Sequence, residues 1–518
     1  VRRALRPLPA TMNTSAPTSL PAPVGGWNAR DGLANMPVTD AIAMDNWYPE
    51  ATDVRPRPGS DTYASGLAGQ VETIFSYSNG SNLRMFVACG GIVTNISTVQ
   101  ASGTALTTAT VASGFTENQW QYRNFGTPGG NFMVAVNGVD SRQIYDGTNW
   151  YAGSTYSAAT IGNFSDIEVF QRRIFYAEKG TLRFVYHTNT DAIGGTVSAF
   201  NLASLLDMGG YIQAIGTWTR DGGSGMDDLI AFISDKGQVA VYQGIDPSSS
   251  SSWSLLGVYR ISAPLGQRCA QKYGGDLVIA TDSGILPLSA VVSGLVQQQP
   301  YTDKIRTAIN DAVRLYHDHT GWQLKYVPSM NWLLFNVPVS TGAYQQQFVM
   351  NTQTQAWCRF KDLQANCWEN HDNEIYFGTN GSVIQAGTLS DADDGNNINV
   401  DVRQAASAFG APGQLKQFKL FRPLINSDGD LPLATDINVD FSDAIPTNIP
   451  TTTPVTTAVW DVATWDDYYW ADGPVPTLFW QSTGNLGTYG SIRIKGQVNT
   501  ISVRWYGTDV VFEPGGML

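Results

Sequence analysis

Between residues 66 and 390 the chain alternates short apolar, strand-like runs with turn residues. VETIFSY (71–77), LRMFVACG (83–90) and GGIVTNIS (90–97) open the series. Short apolar runs of this length bounded by turn signals are consistent with buried strands. NFMVAVNG (131–138) is predicted to pair with RQIYDGTNW (142–150), in which Asp146-Gly147 marks a turn. IEVFQRRIFYAEKGTLRFVYH (167–187) reads as two strands joined through Lys179-Gly180. LIAFISDKGQVAVYQG turns at Lys236-Gly237, and DLVIATDSGILPLS at Ser283-Gly284. The unit of strand, glycine turn and strand recurs at roughly 40 to 55 residues, the spacing of propeller blades. One such small antiparallel sheet cannot bury both faces alone, so the pattern predicts an all-β fold, a β-propeller of about six blades.

The flanks read differently. Residues 1–26 are rich in Pro, Thr, Ser and Ala and predict an extended arm. Residues 27–65 carry Trp27, Trp47 and Tyr48 among Pro and Gly breakers, with one short helical candidate in TDAIAMDNW (39–47). A second helix is predicted in YTDKIRTAINDAVRLYHDH (301–319). There Ile305, Ile309, Ala312, Val313 and Tyr316 share a face and Thr302 or Asp303 can cap the start. From 391 to 518 alternation returns around a long Pro/Thr-rich and then aromatic loop, which predicts a β-sandwich-like domain. The expected organisation is an N-terminal arm and lead-in (1–65), a propeller domain (66–390) and a C-terminal β domain (391–518), with few helices.

Composition narrows the function classes. Only 14% of the 518 residues are charged, while Gly (52), Trp (15), Tyr (22) and Phe (21) are abundant. Aromatic strands, glycine turns and a sparsely charged surface suit a β protein that buries itself against neighbours. The net charge is −13. Beyond Arg2, Arg3 and Arg6 no basic cluster exists to grip phosphates, so sequence-reading of DNA is not expected. No window is long and apolar enough for a membrane helix, and the basic start lacks the apolar core of a secretory signal. Cys89, Cys269, Cys358 and Cys367 form no CxxC pair and read as buried free thiols.

Candidate chemistry is thin. His317 and His319 lack the further ligands a metal site needs and read as residues at a helix end. Asp391, Asp393, Asp394 and Gly395 resemble a calcium loop only in part, because the closing Glu and flanking helices are missing, and read as an acidic turn. WDVATWDDYYW (460–470) sets Trp460, Trp465, Tyr468, Tyr469 and Trp470 beside Asp461, Asp466 and Asp467. Aromatics beside carboxylates suit a glycan-binding or glycan-cleaving cleft, and equally a packed loop or subunit interface. The interface reading is preferred. No catalytic residue, metal ligand or cofactor is expected, and the chain is read as a non-enzyme.

One stretch is more specific. In residues 25–59 the pattern GG-aromatic-N-x-R-D, then M-P-x-x-D-A-x-x-x-D-N, then P-x-x-x-x-V-R-x-R-x-G runs through Gly25, Gly26, Asn28, Arg30, Asp31, Met36, Pro37, Asp40, Ala41, Asp45, Asn46, Pro49, Val54, Arg55, Arg57 and Gly59. It resembles the opening of tail proteins of short-tailed bacteriophages, the nozzle or tail tubular protein B family. NGVDSRQIYDGTNW and KQFKLFRP look like further landmarks of that family. The resemblance implies a virion component assembled in the host cytoplasm: a propeller-based subunit of a hexameric ring beneath the adaptor, in contact with tail fibres or a tail needle. Such a ring holds packaged double-stranded DNA and guides its ejection without reading its sequence. Trp27, Arg30, Asp31, Trp47 and Tyr48, with Trp460, Trp465, Tyr468 and Trp470, are the expected interface residues. A tail-associated glycan-binding or glycan-cleaving protein is the alternative.

Overall fold

The computed structural model describes residues 16–80, 82–97, 109–154, 156, 163–221, 226–294, 300–340, 344–429, 431–447, 475–477 and 479–517. They fall into two compact units. The larger comprises 58–355 and 359–394, and the smaller 1–57, 356–358 and 395–518.

In the larger unit inner strands succeed one another around an axis: Thr73–Asn79, Gln121–Thr127, Phe164–Phe170, Ile212–Asp221, Ala270–Tyr273, Gln323–Val327 and Cys367–His371. Each packs beside the next, and the last returns to the first. Every inner strand opens an antiparallel sheet that meanders outward. Five of these sheets have four strands, and the one opened by Gln323–Val327 belongs to a larger sheet of nine. The fifth in chain order, Ala270–Tyr273 with Asp276–Thr281 and Gly284–Pro287, has three. The ring is closed by chain from its other end. Gly59–Gln70 precedes the first blade yet pairs with Asn380–Thr388 as the outer strand of the last. The expected boundary at residue 65 falls inside this closing strand.

Aromatic side chains fill the gaps between blades, which explains their abundance. Phe184 and Phe232 stack at 4.2 Å between centroids, and Phe175 lies parallel to Trp253 at 6.0 Å. These four join the third blade to the fourth. Tyr77 and Phe86 meet Tyr145 at 4.9 and 4.8 Å between the first and second. Burying each such ring contributes about 1.5–3 kcal/mol. The residue 301–319 helix is present as Arg306–Tyr316, preceded by a 3₁₀ turn at Asp303–Ile305. Ile305, Ile309 and Ala312 are buried, and the helix packs on Trp332–Ser340 and Gly284–Pro287 of its own propeller. Thr302 does not cap it; its hydroxyl accepts the Ile285 amide at 3.1 Å instead.

Two strand expectations change. Residues 167–187 form three strands, not two, because Gln171 and Arg172 both take positive φ (47° and 59°) and turn the chain between Phe170 and Arg173. The helical candidate at 39–47 is a strand, Asp40–Asp45. It runs parallel to Gly26–Trp27 and antiparallel to Ile398–Gln404, and two-sided pairing outweighs the weak helical pattern of six residues.

The smaller unit carries two sheets. In one, Val503–Met517 pairs with Gln414–Ser427 and with Ala16–Pro21, and Val54 of the Trp47–Pro49/Val54–Pro56 hairpin pairs with Trp505. In the other, the order continues from Asp40–Asp45 through Ile398–Gln404 and Gly490–Val498 to Leu433–Val439. The described part of the expected N-terminal arm is therefore built into the same unit as the C-terminal strands.

Candidate functional site

The residues of the 25–59 pattern knit that segment together. Asn28 donates from its amide to Asp31 at 2.9 Å and to Asp40 at 2.8 Å, while its carbonyl oxygen accepts the Arg30 and Asp31 backbone amides at 3.0 Å each. Arg30 pairs with Asp31 at 2.7 Å. Arg57, buried, donates to the Asn46 side chain at 3.1 Å, and Asn46 donates onward to the Asn399 carbonyl at 2.7 Å. A short polar side chain at Asn28 folds the loop back on itself, as Asn does in turns.

The expected interface residues divide accordingly. Trp27, Trp47 and Tyr48 are interior, at 6%, 0% and 1% exposure, and Trp47 meets Trp505 edge-to-face at 6.4 Å. Their rings hold the smaller unit's own core and offer no surface to another chain. Arg30 and Asp31 keep partial exposure. Trp460, Trp465, Tyr468 and Trp470, with Asp461, Asp466 and Asp467, lie outside the described residues.

Other candidates resolve into local structure. Asp393 accepts the Ser60 hydroxyl at 2.8 Å, and Asp394 accepts the Thr62 hydroxyl at 3.1 Å and amide at 3.3 Å, fastening the last blade's outer strand. His317 lies past the helix end, 3.0 Å from Asp318 and 3.8 Å from Asp282. Among the described residues no cluster of three or more His, Cys, Asp or Glu has metal-binding proximity. All four cysteines are buried free thiols, as expected. Burial pushes Cys269 up to about 12 and Cys367 up to about 11, so they stay protonated and unreactive.

The feature that sequence reasoning missed is the propeller axis. Polar side chains from the inner strands line a chamber of about 540 Å³. Its wall carries Arg123 and Glu168, paired at 2.8 Å, and Lys325 paired with Glu369. Burial works against the charge on Arg123, but Glu168 outweighs it and the pKa is raised. Asp166 is buried beside them; desolvation lifts it to about 7 against the pull of Arg123 and the Ile215 amide, which donates to it at 2.7 Å. Arg268 crosses the axis. It stands just before the fifth inner strand, yet donates to the Glu72 carbonyl (3.0 Å), the Thr73 hydroxyl (2.8 Å) and the Trp120 carbonyl (3.1 Å) of the first and second blades opposite. Beyond it lies a smaller chamber of about 200 Å³ with Gln70, Gln119, Gln121, Gln213 and Gln267 in its wall. The available signal was polar residues interrupting apolar strands at Arg123, Glu168 and Lys325.

No family model matches the chain, and no curated protein matches it. Solved structures that it is similar to include BBS1N in complex with ARL6DN, at 10% identity and a TM-score of 0.41, covering 64% of this chain and 98% of that one. YCF48 bound to D1 peptide is similar at 10% identity and 0.36, over 68% and 99% of the two chains. Chaetomium thermophilum Raptor is similar at 11% and 0.37, over 64% of this chain; this chain spans only 29% of Raptor. The inner-strand ring and its closing strand define the class: an all-β, β-propeller protein.

Proposed function

We propose that this chain is a structural subunit of a short-tailed phage tail, a nozzle protein that assembles with copies of itself into a ring, six by family resemblance. The ring surrounds the DNA exit channel beneath the adaptor, retains the packaged genome and guides its release, with tail fibres or a tail needle attached nearby. The observation that carries the reading is the 25–59 segment. The side chains that match the family pattern, Asn28, Arg30, Asp31, Asp40, Asn46 and Arg57, are those that tie the segment into its fold. Two further facts support it. The propeller axis is crossed by Arg268 and its chamber is far too small for a duplex, which fits a channel formed between subunits rather than through one. The chain's net charge of −13 suits a lumen wall that lets phosphates slide without capture.

Native mass spectrometry of the purified chain mixed with its adaptor tests the assembly. The expected species contains the nozzle chain as a multiple of 56.1 kDa, six copies per adaptor ring. A chain that stays monomeric in the presence of the adaptor contradicts the proposal.

A further inference from the structure

The axial chamber carries two cations, Arg268 and Lys272, that form no ion pair among the described residues, although the Glu72 carboxylate lies within electrostatic reach of Arg268. Arg268 forms the floor. Three of its N–H groups go to neutral acceptors, two carbonyls and a hydroxyl. Guanidinium carries five donors, so two stay available to an occupant of the chamber or of the smaller cavity beyond. Lys272 stands on the same wall, in the inner strand Ala270–Tyr273, exposed and with its ammonium in no ion pair among the described residues. Residues 268, 270 and 272 alternate onto one side of the chain, with only the methyl group of Ala270 between the two cations. Four residues of strand set their backbones about 13 Å apart along the axis. Two carboxylates of the wall are already engaged, Glu168 with Arg123 and Glu369 with Lys325, and the third, Asp166, is pushed toward its neutral form by burial.

We infer that this chamber is a binding site for a carboxylate carried on a narrow, extended stem, whose acidic tip reaches Arg268 while a second negative group passes Lys272. The volume of about 540 Å³ admits a few residues of extended peptide or a small aliphatic dicarboxylate. The site is local: a cationic pocket within a chain of net charge −13. Binding therefore owes its strength to contacts inside the chamber and not to attraction at a distance. It is independent of the ring assembly proposed above.

Isothermal titration calorimetry of the full chain tests this with two probes, glutarate and the peptide acetyl-Glu-Glu-amide. Saturable one-to-one binding of either supports the site, and the tighter probe tells a free dicarboxylate from a peptide tip as the source. Lys272→Ala is expected to weaken that probe about tenfold and Lys272→Glu to abolish it, with melting temperatures unchanged because Lys272 bears no structural contact. Arg268→Lys, which keeps the charge and loses the fork, is expected to weaken it too. Failure of both probes to bind overturns the inference, as does binding that Lys272→Glu leaves intact.

Discussion

At the residue scale the most consequential group is the buried guanidinium of Arg142. It is 1% exposed and donates to the hydroxyls of Tyr156 and Tyr176 and to the Ile193 carbonyl, with no ion-pair partner among the described residues. His187, fully buried, shares the Tyr156 hydroxyl at 3.0 Å. Burial first, and Arg142 second, lower the His187 pKa to about 4. The unfolded chain takes up this proton near pH 6.5, the folded chain only near 4. Stability is therefore complete above the unfolded value and drains away as pH falls between the two. The loss reaches about 3 kcal/mol at the acid end. His187→Gln is expected to remove this component: urea midpoints for the two proteins should diverge below pH 6.5 in favour of the variant. Parallel profiles down to pH 4 contradict the account. None of this was legible in the sequence. Arg142 sits in RQIYDGTNW and His187 ends an apolar run, and only the packing of the second blade on the third brings them together. The same limit hid Arg268, whose partners lie roughly 150 to 200 positions earlier in the chain. The cysteines were legible, because each stands in or near an apolar strand-like run and such runs become cores.

At the element scale the glycine turns carried most of the fold. Lys236-Gly237 and Asp146-Gly147 lie between strands as predicted, since tight hairpins demand positive φ and glycine supplies it. The turn at Gln171-Arg172 adopts the same geometry without glycine, so no local signal marked it. The Asp40–Asp45 strand was misread for a related reason: its partners come from residues 26–27 and from beyond 397, and pairing at that distance leaves no local trace. Two of the turns make a matched test. Gly180 (φ 73°) has open space where a Cβ would stand, whereas a Cβ on Gly237 (φ 79°) would lie 2.3 Å from the Ile261 carbonyl oxygen. Gly180→Ala is expected to cost about 1–2 kcal/mol, the backbone term alone. Gly237→Ala adds a steric collision with backbone and should cost clearly more. Thermal denaturation of both variants checks the order, and equal losses would show that the Gly237 turn relaxes freely.

At the scale of the whole molecule, the propeller was legible because blades repeat and their aromatic faces need neighbours. The three-stranded fifth sheet was not separable by spacing, since it is shorter than the rest and is followed by helix. The closing strand Gly59–Gln70 was also hidden, because its partner, Asn380–Thr388, lies at the far end of the ring. The smaller unit draws its strands from both chain regions, which no linear division of the sequence expresses. The proposed tail role rests on the resemblance carried by the 25–59 pattern.

Two-dimensional class averages of the chain assembled with its adaptor, viewed along the tail axis by electron microscopy, test the central claim most directly. Sixfold rings of propeller-sized lobes around an open lumen wide enough for duplex DNA are the predicted result. Single lobes, or closed dimers with no lumen, would contradict it.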